Sequence, residues 1–173
     1  MRGTSCSGKG TFIKNNFGNE SSNHVLSSDN FREMLCGTAT EQTQNKIVFD
    51  TIRLVLENRL KNRVPLTIID ATHIRFKDCQ DVIELSLKYH TPIMVISLKP
   101  PSIEDLKSRN FDRMKETGFF VPEGVLEKHY HRYTASMAPF IKEAMFNEYF
   151  KFTEIDQDYN VVLFVEGADS EQI

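Results

Sequence analysis

No apolar run in the sequence approaches the length needed to span a bilayer, so no membrane partner is expected. Nor is there a signal-like stretch, because Met1 and Arg2 lead straight into a glycine-rich segment. An intracellular, cytoplasmic protein is expected, in the host cytoplasm if the source is viral. Cysteine is scarce: Cys6, Cys36 and Cys79 are odd in number and widely spaced, which excludes a disulfide framework and a paired-cysteine zinc site and predicts free thiols. His129 and His131 stand two apart in a predicted helix and point to different sides of it, adding no case for zinc. Positive charge is also short. Lys and Arg total 21 against 24 Asp and Glu, a formal net charge of -3, which excludes a protein that coats nucleic acid non-specifically. Any nucleic-acid contact must come from a local basic patch. Repeats, low-complexity tracts and linkers are lacking too, and 173 residues suit one domain spanning 1–173.

Short β-type runs alternate with longer helical patterns, which predicts an α/β fold with a mostly parallel sheet. The predicted strands are Val25–Ser27, Leu66–Asp70 and Ile93–Leu98, the latter two continuous and β-branched as for strands buried on both faces, with Val161–Val165 closing the sheet. Ile52, Leu56 and Leu60 recur at a spacing of four and predict a helix from about Thr43 to Arg63, stopped by Pro65. Further helices are predicted over Asp78–Tyr89, from Ile103 to roughly Phe111, and from Pro122 to about Asn147, the last kinked or split at Pro139.

The segment Gly3-Thr4-Ser5-Cys6-Ser7-Gly8-Lys9-Gly10-Thr11 follows G-x-x-x-x-G-K-[ST] through the lysine. Gly3 and Gly8 let backbone amides turn inward as an anion nest, and the helix starting near Lys9 adds its positive end. Gly3, Ser5, Ser7, Gly8, Lys9, Gly10 and Thr11 are therefore expected to bind a nucleoside triphosphate, with Lys9 at the β/γ-phosphates. Gly10 stands where a serine or threonine is usual and offers magnesium no hydroxyl, leaving Thr11 or water to hold the metal. The fold expected is a P-loop NTPase-type parallel sheet flanked by helices, with an α-helical lid and a first strand nearly absent.

Asp29 follows the strand Val25–Ser27, at the end of the sheet where ligands bind in open α/β folds, and could take the proton of an attacking hydroxyl. Arg32, one turn on, could hold an anionic acceptor; the plainer reading makes Asp29 a helix N-cap and Arg32 a surface charge. Asp70 ends a hydrophobic strand and could orient magnesium-bound water, or could cap the next helix. His73 is ambiguous as a base. Arg109 and Arg113, four apart, would share a helix face, and with Gly118 behind them form a mobile lid over the triphosphate.

This ordered set resembles the 5′-polynucleotide kinase domain of bacteriophage and bacterial nucleic-acid repair enzymes. The resemblance runs from Gly3 to Tyr133 through GTSCSGKGTF, SSDNFRE, TIIDATH, LKSRNFDR and FVPEGVLEKHY. It implies ATP or another nucleoside triphosphate with Mg2+, nucleic-acid 5′-OH ends of DNA or RNA as substrate, and a functional partnership with a ligase. It also implies catalytic roles for Lys9, Asp29 and Arg113: donor phosphates, general base and, with Arg109, the transferring phosphoryl group. Arg32 would grip the acceptor's 3′-phosphate, Asp29 and Thr72 would face the acceptor, and Asp70 (through water) with Thr11 would serve the metal. Gly10 departs from the pattern, as does His73, where asparagine is usual. No Asp-x-Asp-Gly-Thr motif is present, so no 3′-phosphatase domain is expected.

Two competing readings remain open. A small-molecule kinase acting on a sugar, nucleoside or antibiotic hydroxyl would use the same Lys9, Asp29 and lid, and suits the acidic balance. A catalytically inactive nucleotide-binding module would suit Gly10 and the weak first strand.

Overall fold

Two short parallel strands carry the acceptor side. In the computed structural model, which describes residues 1–18 and 23–167, β1 (Val25–Ser27) pairs with β2 (Ile68–Asp70), and Ser27 lies opposite Asp70. β3 (Ile93–Leu98) and β4 (Phe150–Ile155) form a second parallel pair, and β5 (Val161–Val165) adds antiparallel to β4. Arg2 lies between the sets. Its amide donates to the Ile96 carbonyl at 2.8 Å and its carbonyl accepts from Leu98 N at 2.8 Å, while Gly3 N donates to Thr72 O at 3.0 Å. The expected opening strand is thus reduced to a single bridge between Arg2 and Ser97. The spatial order is β1, β2, the Arg2 segment, β3, β4 and β5.

Helices cover this mostly parallel sheet: α1 (Lys9–Phe17), α2 (Ser28–Cys36), α3 (Asn45–Lys61), α4 (Gln80–Tyr89), α5 (Ile103–Thr117), α6 (Glu123–Ala135) and α7 (Met137–Phe146). Val48, Ile52 and Leu56 from α3 bury against Leu26 and Leu85. Phe140 and Ala144 from α7 bury against Val95, Phe150 and Phe152. Phe12, Leu98 and Ile155 pack beneath the glycine-rich loop. No helix among the described residues is long and apolar enough to cross a membrane, and the three cysteines are free.

Four local expectations change. β4 went unpredicted because Lys151 and Glu154 interrupt its apolar pattern, yet Phe150, Phe152 and Ile155 are buried, Lys151 pairs with Glu166 and Glu154 accepts from the Tyr133 hydroxyl. The helix predicted from Pro122 to Asn147 breaks at Ser136 rather than at Pro139. Pro139 falls in the first turn of α7, where its missing N–H costs nothing, and the Ser136 hydroxyl donates to Ile74 O at 2.7 Å. α5 runs past Phe111 to Thr117 and stops at Gly118, whose φ of 73° suits a residue without a Cβ. Met94 is exposed, so β3 is not covered along both faces.

Candidate active site

The loop from Gly3 to Gly8 closes tightly over the end of β3. A Cβ on Gly3 would stand 2.8 Å from Ser7 Oγ and 3.3 Å from Leu98 O, so this position admits only glycine without a shift. Gly8, at φ 98°, takes the left-handed turn that starts α1. Lys9 Nζ donates to Gly3 O at 3.2 Å and Thr4 O at 2.8 Å, which folds the ammonium back onto its own loop. Burial lowers the Lys9 pKa from its ordinary value, with Asp70 and Asp29 opposing. The buried hydroxyls of Thr4 and Ser7 have no partner among the described residues. Unpaired buried polar atoms are rare in folded proteins, and a loop that leaves two of them suits a ligand with several acceptor oxygens.

A cavity of about 1190 Å³ opens in front of this loop. Ser5, Ser7, Gly8, Lys9, Gly10 and Thr11 line it from the loop, Asp29 and Arg32 from α2, Asp70 from the end of β2, Thr72 from just beyond it, and Arg109 and Arg113 from α5. The structure therefore brings together every expected site residue except Gly3, which lies underneath as a packing element.

Ser27, not Asp29, caps α2, its Oγ accepting from Asn30 N at 3.4 Å. Asp29 sits in the first turn, where the helix dipole favours a carboxylate. Its Oδ1 accepts from Arg32 Nη1 at 2.7 Å, and Arg113 Nη2 approaches Oδ2 at 3.8 Å. Arg32 is no surface charge: it is 4% exposed, and Nη2 donates to Asn45 Oδ1 at 2.9 Å. Its buried Nε–H has no partner among the described residues, which leaves one donor of the guanidinium unspent. Asp70 caps no helix either, since the next one is the short 3-10 turn Phe76–Cys79. His73 is buried, with φ 42° and a pKa pushed down to about 4 by burial, and does not line the cavity. It is no candidate base.

Residues 1–136 match the AAA domain family (AAA_33). The chain belongs to the AAA domain family. No curated protein matches it. A solved structure titled "Structure of the Pnkp1/Rnl/Hen1 RNA repair complex" holds a chain that is similar at 26% identity and a TM-score of 0.65 over 80% of this chain. The match covers 44% of that chain, so this AAA domain spans less than half of its neighbour. Family and fold together support a polynucleotide kinase-like P-loop domain, in line with the resemblance seen in the sequence.

In this AAA domain the cavity also gathers residues that sequence reasoning missed. The β4–β5 turn delivers Gln157 and Tyr159 to the cavity. Arg109 Nη1 donates to Gln157 Oε1 at 2.8 Å, and Gln157 Nε2 donates to Lys99 O at 2.5 Å and Ser7 O at 3.4 Å. One amide thereby ties the lid helix to the phosphate loop. The turn signal Asp156-Gln157-Asp158-Tyr159-Asn160 was legible, but without β4 it had no place beside the loop. His129, whose pKa burial and Lys9 lower, stands with Nδ1 3.4 Å from Ser5 Oγ.

The donor set fits magnesium bound chiefly by phosphate and water. Asp70 and Thr11 line the cavity, and no cluster of three or more His, Cys, Asp or Glu ligands exists among the described residues.

Proposed function

We propose that this domain is a 5′-hydroxyl polynucleotide kinase that transfers the γ-phosphoryl group of ATP, or another nucleoside triphosphate, to the 5′-OH of a DNA or RNA end. The observation that carries the reading is the Asp29–Arg32 pair at 2.7 Å, set in the same cavity as Lys9 and Arg113. A carboxylate within hydrogen-bond reach can act as general base toward a hydroxyl acceptor, and a cation beside it suits an acceptor that bears its own phosphate. The neighbouring RNA repair complex supports a nucleic-acid substrate and a partnership in repair.

In this reading the 5′-oxygen attacks the γ-phosphorus as Asp29 takes its proton. The bond to the β-bridging oxygen breaks, and the nucleoside diphosphate leaves with the electron pair. Lys9, released from the carbonyls of Gly3 and Thr4, neutralises the β- and γ-oxygens. Arg113 turns from Asp29 toward the transferring group, and Arg109 accompanies it from the same helix. Arg32 lines the cavity and would hold the acceptor's 3′-phosphate through its guanidinium, and Thr72 borders the acceptor. Bound Mg2+ would spread the charge of the transferring phosphate, held by Thr11 and, through water, by Asp70.

Incubation with γ-labelled ATP, Mg2+ and matched 5′-OH DNA and RNA oligonucleotides tests this directly. Label on the 5′ end that Asp29→Ala and Lys9→Ala each abolish is the expected result. ATP binding without label on any oligonucleotide would reject it in favour of a small-molecule acceptor or an inactive module.

A further inference from the structure

The elbow between α5 and α6 is held at both ends and presents aromatic rings to the cavity. On one side Gly118 caps α5 through its amide to Met114 O at 2.9 Å, and Phe119 N donates to Thr117 Oγ1 at 3.2 Å. On the other, the buried side chain of Asn110 grips Val121 twice, with Nδ2 donating to Val121 O at 2.8 Å and Oδ1 accepting from Val121 N at 3.0 Å. Pro122 O then accepts from Val125 N at 2.8 Å as α6 begins. Phe119 and Phe120 stand between Gly118 and Val121.

The two rings differ. Phe119 is covered by the Arg113 guanidinium at 3.9 Å. Phe120 is 43% exposed, and among the described residues no ring or cation stacks on it. Val121, at 9% exposure, is the buried residue at this corner. Phe120 also lines the cavity that holds Asp29 and Arg32.

We infer that Phe120 is a stacking platform for the acceptor strand and takes the nucleobase next to the terminal nucleotide. This rests on the kinase reading above and deepens it. A terminal nucleotide with its 5′-OH at Asp29 and its 3′-phosphate at Arg32 occupies the floor, so the exposed ring at the rim meets the base that follows. The charge balance favours a single strand held by stacking. At a net charge of -3, and with Glu104, Asp105, Asp112 and Glu116 balancing Lys107, Arg109, Arg113 and Lys115 on the same helix, this helix offers phosphates no excess of positive charge. An aromatic platform accepts any base, because every base has a π-face. The ring thereby sets the substrate class as a strand instead of a mononucleotide.

The test is binding, read apart from transfer. Fluorescence anisotropy with a 5′-OH oligonucleotide labelled at its 3′ end, and competition by a nucleoside 3′-monophosphate, are compared for the native protein, Phe120→Ala and Phe120→Trp. Phe120→Ala is expected to weaken oligonucleotide binding roughly 5- to 150-fold, the range for loss of one stacked base. Its effect on the mononucleotide, which has no second base to stack, is expected to stay within about twofold. Phe120→Trp is expected to restore strand binding, with the salt dependence unchanged. Equal losses for both acceptors, no loss for either, or a loss confined to ATP binding would each overturn the platform. Strand binding that depends on Phe120 in a protein that labels no 5′ end would sustain the platform while rejecting the kinase.

Discussion

Arg113 approaches the Asp29 carboxylate at 3.8 Å while its guanidinium lies 3.9 Å over the ring of Phe119, so one cation joins the lid helix to the acceptor floor. The negative charge of Asp29 also raises the affinity of Lys9 for its proton, against the lowering by burial. In the proposed reaction the carboxylate would therefore have two effects, as a proton acceptor for the substrate and as a competitor with triphosphate for the surrounding cations.

Asp29→Asn separates those effects. The amide keeps an acceptor oxygen for Arg32 but loses the basicity and the charge. We expect kcat to fall about 10²–10⁴-fold, the usual range for a lost general base. Donor binding is expected to stay the same or tighten, because a negative charge leaves the neighbourhood of Lys9. Single-turnover transfer and equilibrium ATP binding check both halves. A parallel loss of ATP affinity would assign Asp29 to the donor side and remove it as the base.

Gly10 is the position at which a P-loop ordinarily places a hydroxyl. A Cβ built there meets nothing within 4 Å, so Gly10→Ser fits without displacement. The change also replaces a glycine inside α1, a gain of a few tenths of a kcal/mol. We expect a lower Mg2+ concentration for half-maximal activity and a rise in kcat/KM of several fold, on the order of 1 kcal/mol for one added oxygen ligand or hydrogen bond. A magnesium titration at fixed ATP measures this. An unchanged titration would mean that Thr11, Asp70 and water already satisfy the metal.

Legibility in the sequence followed how local the determinants were. The loop Gly3–Gly10 was readable because its φ requirements and charge lie within eight residues. β3 was readable to its ends because Ile93–Leu98 is apolar at every position but Ser97. Asp29 and Asp70 were readable as residues at strand ends and Arg32 as one helical turn beyond Asp29, but the burial of Arg32 was not, since it depends on Asn45 and Ala39 beyond the next turn. β4 was hidden by Lys151 and Glu154, whose partners lie 15 and 21 residues away. Gln157 disappeared with it. Arg2 gave the least signal, since nothing nearby in sequence predicts a buried guanidinium.

His73 makes stability depend on acidity. Burial holds its pKa near about 4, below the ordinary 6.5, so the folded state keeps it neutral where the unfolded chain binds a proton. The unfolded state then binds more protons between those values, and stability is lost as pH falls from about 6.5 toward 4 at up to about 1.4 kcal/mol per pH unit. Its φ of 42° suits asparagine, so His73→Asn should fold and show a flatter decline. Urea unfolding of both proteins at pH 7 and pH 5 reads the difference. Parallel declines would place the acid sensitivity in other groups.

Arg2 is completely buried, yet no carboxylate touches it. Its guanidinium donates to Ser97 Oγ at 2.6 Å, Tyr133 O at 2.6 Å, Ser136 Oγ at 3.0 Å and Ile74 O at 3.2 Å, and it lies 3.9 Å over the Tyr133 ring. The counter-charge arrives by relay: Ser97 Oγ is 2.8 Å from the Tyr133 hydroxyl, which donates to Glu154 at 2.6 Å. One side chain therefore stitches β3, α6 and the break before α7 at the point where the sheet is thinnest. Lysine cannot reproduce a planar fork stacked on a ring, so Arg2→Lys leaves buried acceptors unpaired. We expect a loss of about 3–5 kcal/mol, as for a broken buried ionic network, and at about 2–4 °C per kcal/mol a fall in Tm of roughly 6–20 °C. Thermal unfolding with and without ATP tests this, the stabilisation by ATP being retained because the loop itself is intact. A variant that melts with the native protein would show that hydrophobic packing around Phe140 and Tyr133, and not the guanidinium, holds α6 and α7 to the sheet.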